Sequence, residues 1–148
     1  CVQAALDGLK EIRVFNIKDQ FYGRLEKLTA NITAKTSCKV TLHDLADEQA
    51  LYDSIAASDI LTNGTSVGMA PNVDACLIKN TDVFRESLIV SDVIYNPEQT
   101  KLLKLASEKG CPTFNGLYML LYQGAAAFKI WTGQDMPVDI IKEKYFTR

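Results

Sequence analysis

Apolar runs of four to six residues recur along this chain, separated by amphipathic stretches. EIRVFN (11–16), CKVTLH (38–43), SDILTN (58–63), SLIVSDVIY (87–95) and CPTFN (111–115) read as strands. Between them FYGRLEKLTANITA (21–34), DEQALYDSIAA (47–57) and NPEQTKLLKLASEKG (96–110) read as helices. Such alternation is the mark of β-α-β units, in which each amphipathic helix returns the chain so that the next strand joins a parallel sheet. The expected architecture is a doubly wound α/β domain with three α/β/α layers. NPEQ has the features of a helix start: Asn96 as cap, Pro97 at the first helical position and Gln99 placed for a capping box.

Three stretches break the rhythm. VQAALDGLK resembles the last turns of a helix closed by Gly8, so the chain opens inside an element and its first strand and turn are expected upstream. Asn63 to Ser87 has glycine, proline and polar residues with weak periodicity, a long loop of the kind that often contacts ligands. NGLYMLLYQGAAAFKIWTG is apolar nearly all round from Leu117 to Trp131, with Gln123 and Lys129 as its only strongly polar side chains. A helix of that composition is expected to pack on more than one side. Gln123 would then be a buried carboxamide requiring backbone, water or a ligand to satisfy it.

Composition and charge narrow the chemistry. With 148 residues, 47% of them hydrophobic, the chain can bury a core of its own. A net charge of -2 with scattered Lys and Arg supplies no basic field for nucleic acid or anionic lipid. No apolar run approaches the roughly 20 residues of a membrane span, and a cytoplasmic location is expected. Cys1, Cys38, Cys76 and Cys111 are far apart, with no C-x-x-C pair and one histidine, so no zinc set forms and shielded thiols are expected. His43 ends a strand with no nucleophile implied beside it and reads as a satisfied imidazole.

In a parallel sheet the ligand lies beyond the carboxyl ends of the strands. NIKD, TNGTSVGM, VIYNP and NG fall there, rich in Asn, Ser, Thr, Gly and Tyr, which suit hydrogen bonding to a dinucleotide and supply no activated nucleophile. Asp19 follows the first strand where an acid holds an adenosine ribose, although it also suits a helix cap. Only eighteen residues precede it, too few for the glycine turn that normally stands about 20 residues earlier. A carboxylate at that point accepts both ribose hydroxyls and repels a 2′-phosphate, which favours NAD over NADP.

Three linked motifs carry a resemblance. N-G-L-x-M-L-x-x-Q-G-A-x-x-F-x-x-W-T-G (Asn115 to Gly133) resembles the closing signature of the shikimate dehydrogenase family. L-T-N-G-T-S-V-G-M (Leu61 to Met69) is similar to its N-x-T-x-x-G-M loop, and D-V-I-Y-N-P-E-Q-T-K-L-L (Asp92 to Leu103) to its D-x-x-Y-x-P-x-x-T-x-L-L segment. The wording is nearest to the quinate/shikimate dehydrogenases, which accept NAD as well as NADP.

The resemblance implies that residues 1–148 are a Rossmann-like NAD(P)-binding domain without its first strand and glycine-rich turn. It also implies an N-terminal substrate domain, not in this chain, that carries the catalytic lysine and aspartate, so no catalytic residue and no metal ligand is assigned here. By the same resemblance, Asn16, Lys18 and Asp19 surround the adenosine ribose, and Ser66 belongs to the loop under the dinucleotide. Val93, Ile94, Tyr95 and Asn96 run past the nicotinamide, Gly116 offers a carbonyl to its carboxamide, and Met119 packs near the ring. Gln123 reaches a hydroxyl of the substrate.

The implied activity is reversible oxidation of shikimate or quinate on the route to aromatic amino acids, with NAD preferred and NADP second. Partners are the substrate, the substrate domain and a second copy in a homodimer, with neither nucleic acid nor membrane. Two positions depart from the family pattern: Ile17 replaces a common arginine, which favours NAD further, and Ser66 replaces a frequent lysine of quinate users. The other reading is a non-catalytic nucleotide-binding or regulatory module on the same fold.

Overall fold

Strand β1, Glu11–Asn16, pairs in parallel with β2, Lys39–Asp44, from Glu11 opposite Lys39 to Asn16 opposite Asp44. This computed structural model describes residues 11–16 and 22–146. The helix end expected at Gly8 and the site positions Ile17, Lys18 and Asp19 lie outside the described residues. The chain divides into two compact units, Cys1–Ser58 and Asp59–Arg148.

In the first unit, helix α1 (Tyr22–Lys35) joins the two strands and lies against β2, the right setting for a β-α-β unit. The register sets Glu11 beside Lys39, and its carboxylate contacts Lys39 Nζ at 3.0 Å and Arg13 at 2.7 Å. The Lys39 hydrogen bond is the main reason that the Glu11 carboxyl is held below its usual range. At the other end Phe15 stacks on His43, centroids 5.0 Å apart, with His43 Nε2 3.2 Å from Thr41 Oγ1. His43 is thus the satisfied strand imidazole expected. Helix α2 (Glu48–Ala56) is capped by Asp47, whose carboxylate accepts the Ala50 N–H at 3.0 Å, and it buries Leu51 and Ile55, four apart on one face.

The second unit holds a parallel sheet in the order β3 (Ile60–Asn63), β4 (Ile89–Asp92), β5 (Thr113–Phe114). Central β4 is the most buried, with Val90 at 0% exposure and Asp92 at 2%. Helix α3 (Lys101–Glu108) covers β4 and β5 with Leu102, Leu103 and Ala106. Ile78, Phe84 and Leu88, from the segment before β4, add to the core. Helix α4 (Leu117–Thr132) follows β5 and touches the short helix α5 (Val138–Tyr145), where Tyr118 meets Phe146 with centroids 5.8 Å apart.

The strand and helix alternation read from the pattern is present, and the mixed α/β fold with parallel strands is Rossmann-like. Between Asn63 and Ser87 the described structure has only a 3-10 turn, Thr81–Val83, in keeping with a long loop.

Other details differ from the sequence reading. The fourth strand stops at Asp92, because the Asp92 carboxylate accepts the Ile94 N–H at 3.0 Å and turns the chain out of the ladder. Helix α3 begins at Lys101, not at NPEQ. Its cap is Thr100, whose Oγ1 accepts from Leu103 N at 3.4 Å while donating to Asp92 at 2.8 Å. Asn96 is exposed and precedes a cis Pro97. Among the described residues α4 is covered on one side only: Leu121 is its one buried residue, and Gln123 is exposed.

The β5 to α4 connection is a close fit. Gly116 has φ -77, open to any residue, yet a Cβ there would overlap the Val93 carbonyl. Gly116→Ala should therefore cost about 1–3 kcal/mol by forcing backbone apart, read as a lowered urea midpoint; an unchanged midpoint contradicts the packing.

Cys38 and Cys111 are buried and Cys76 is half-buried. Desolvation pushes the Cys76 and Cys111 thiols above their ordinary range. With the folded value raised, the stability they allow is intact below about pH 8.5 and is lost as pH climbs through the folded value. Alkylation of Cys76 and Cys111 near pH 8 should be slower in the folded protein than in urea, as peptide mass analysis over time would report. Equal rates would contradict the burial.

Candidate functional site

Three connections meet at the carboxyl ends of β3, β4 and β5, and backbone hydrogen bonds fix their mutual position. Val93 N–H donates to the Asn63 carbonyl at 3.0 Å, and Gly116 N–H donates to the Ile94 carbonyl at 3.0 Å. Asn115 bridges outward as well, its Nδ2 donating to the Glu98 carbonyl at 2.8 Å while its Oδ1 caps Leu117 N–H at 3.0 Å.

The turn after β3 is built by its own side chains. Asn63 Oδ1 accepts from Thr65 N–H at 3.0 Å and from Thr65 Oγ1 at 2.7 Å. Its Nδ2 donates to the Val67 carbonyl at 3.1 Å and to both Asp92 oxygens at 3.1 and 3.2 Å. The buried carboxamide thus uses its donor and acceptor capacity without water. Thr65 Oγ1 in turn accepts the Val67 N–H at 3.1 Å. Gly68 then takes φ 97, a conformation side chains resist, and Met69 N–H closes the turn on the Ser66 carbonyl at 3.2 Å. N-x-T-x-x-G-M therefore spells a loop that folds on itself and leaves Ser66 exposed.

The residues singled out from the sequence fall into distinct groups. Ser66, Tyr95 and Asn96 are exposed, as are Met119 at 50% and Gln123. Val93 is half-buried. Ile94 is not on the surface: its side chain is 4% exposed, and its N–H and carbonyl are taken by Asp92 and Gly116. Gly116 is buried, and its carbonyl accepts the Leu120 N–H at 3.0 Å, leaving one lone pair. Gly116, Met119 and Gln123 are spaced i, i+3 and i+7 and so share a face of α4. Asn16 ends β1 in the first unit, while Lys18 and Asp19 are outside the described residues.

Asn63, Thr65, Asp92 and Thr100 were legible as motif letters, but their role as a support was not, because it depends on contacts 8 to 29 positions apart. Among the described residues no cluster of His, Cys, Asp or Glu suits a metal, and no helix is long and apolar enough to cross a membrane. An open groove of about 400 Å³ beside α3, bordered by Val73, Asp74, Lys101, Lys104 and Glu108, includes none of the expected site residues. What the strand ends present is hydroxyl, carboxamide and backbone groups beside an exposed methionine. That set can bind and orient a dinucleotide, and it contains no nucleophile with a base.

Residues 116–144 match the family model described as the shikimate 5'-dehydrogenase C-terminal domain. A shikimate dehydrogenase (NADP(+)) of Listeria monocytogenes is 53% identical over 146 residues, 99% of this chain and 50% of the relative. One of Streptococcus uberis is 51% identical over 98% of this chain. Among solved structures, shikimate 5-dehydrogenase from Listeria monocytogenes in complex with shikimate and NAD aligns with a TM-score of 0.87 and 54% identity. That alignment covers 97% of this chain and 50% of the other. Quinate dehydrogenase from Corynebacterium glutamicum in complex with NAD aligns with a TM-score of 0.78 and 27% identity, over 94% of this chain and 47% of the other. The chain spans about half the length of the curated relatives it matches. In sequence and in fold the chain is similar to one half of shikimate dehydrogenases, and residues 116–144 match the model of their C-terminal domain.

Proposed function

We propose that this chain is the dinucleotide-binding half of an enzyme that reversibly oxidises the C3 alcohol of shikimate to a ketone, with NAD preferred, NADP accepted and quinate as a second substrate. The observation that carries the reading is the junction of the Asn63–Met69 turn, the Val93–Asn96 segment and the Gly116–Gln123 face, three segments joined at the ends of one parallel sheet.

The residues fit such a cofactor. Ser66, on an exposed turn, would hold the phosphate and ribose part, and Val93 and Met119, with the free lone pair of the Gly116 carbonyl, would hold the ring. When bound, the nicotinamide accepts or returns the hydride. The chain's own part is orientation. Gln123, one turn beyond Met119, directs its carboxamide at a substrate hydroxyl, which places the substrate carbon beside the ring. The proton is handled by residues of the substrate domain outside this chain. The NAD preference is supported by Asp19 and Ile17, a carboxylate and an apolar side chain where a 2′-phosphate would need a cation.

The protein that carries this chain should reduce NAD when given shikimate, with kcat/KM for NAD above that for NADP, followed by the absorbance of the reduced nicotinamide. No turnover with shikimate or quinate would refute the assignment, and a higher kcat/KM for NADP would refute the preference. Gln123→Ala should raise the KM for shikimate by about tenfold or more while leaving the KM for NAD within about twofold, because one hydrogen bond to a buried substrate hydroxyl is lost. Equal effects on both KM values would remove Gln123 from the substrate side.

A further inference from the structure

Asp92 is a carboxylate at 2% exposure, yet among the described residues no cation pairs with it. Neutral donors from three segments take its oxygens instead. Oδ1 accepts the Ile94 N–H at 3.0 Å, Oδ2 accepts the Thr100 hydroxyl at 2.8 Å, and the Asn63 amide lies across both. Each donor comes from a different place: Asn63 at the end of β3, Ile94 in the chain leaving β4, and Thr100 at the cap of α3. A charged acceptor forms stronger hydrogen bonds than a neutral one, and in a buried place every donor aimed at it has no water to fall back on.

The geometry points to Asp92 as a positioning residue for the dinucleotide, an inference that rests on the function proposed above. Its carboxylate sets the distance between the Asn63–Met69 turn, which presents Ser66, and the Val93–Asn96 segment, so that both meet one extended ligand at once. Asp92 does not touch the ligand, since it is sealed beneath both segments. The Gln123 side chain lies on α4, whose cap Gly116 donates its N–H to the Ile94 carbonyl beyond the end of β4, a contact the carboxylate does not itself make. Loss of the charge should therefore act on dinucleotide affinity before substrate affinity.

The isosteric change Asp92→Asn turns one acceptor into a donor facing donors. In the protein that carries this chain, we expect the Kd for NAD, from calorimetric titration, to rise about tenfold while the KM for shikimate stays within about threefold. Leu88→Ala supplies the structural control: Leu88 is a fully buried core residue, so this variant lowers the melting temperature with the Kd for NAD unchanged. Should Asp92→Asn fail to fold, Thr100→Val and Thr100→Ser carry the test. The first removes one hydroxyl donor and should weaken NAD binding severalfold; the second keeps the donor and should restore it.

An unchanged Kd in Asp92→Asn or in Thr100→Val, or an equal rise in Leu88→Ala, overturns the positioning role while leaving the enzyme assignment standing. Absence of NAD and NADP binding by the unaltered protein overturns both.

Discussion

A carboxylate removed from water must be answered by donors, and among the described residues Asp92 is answered by the backbone and neutral side chains of its neighbours. That requirement organises the second unit. It stops β4 at residue 92, it decides where α3 begins, and it holds the Asn63 amide so that the following turn can close on Thr65 and Val67. An unmet donor or acceptor at such a place costs about 1–3 kcal/mol, so the carboxylate and its donors are satisfied together or fail together. The motif positions Asn63, Thr65, Asp92 and Thr100 thereby form a hydrogen-bonded frame at the strand ends.

The frame explains the division of labour among the other residues. Ile94 is fully engaged and acts as a strut, while Ser66, Tyr95, Asn96 and Met119 remain exposed around it. Gly116 has to be a glycine because the chain leaving β4 passes against it, and that close passage lets α4 start directly over the strand ends. A rigid support beneath exposed polar groups is what a site of orientation needs, since small displacements of a bound ring cost rate steeply.

Helix α4 leaves most of its apolar surface uncovered among the described residues. Tyr118, Met119, Leu120, Tyr122, Ile130 and Trp131 are all exposed, and only Leu121 is buried. An apolar circumference records what the helix is suited to contact, and the described residues cover one narrow stripe of it. The same fact removes the difficulty of Gln123, whose carboxamide faces solvent and is available to a ligand.

Periodicity by itself determined the strand and helix order, because a two-residue alternation and a 3.6-residue stripe are local properties of a sequence. It also identified the strand-end segments that carry polar chemistry, since parallel pairing fixes which loops gather at one end. The motif letters carried the family resemblance and singled out Ser66, Gly116 and Gln123. Tertiary structure decided what no local pattern holds: that Asp92 binds donors from residues 63, 94 and 100, that Thr100 displaces Asn96 as the cap, and that Gln123 is exposed. Hydrogen bonds that span 29 positions, and the desolvation of one carboxylate, exist only once the strands have paired.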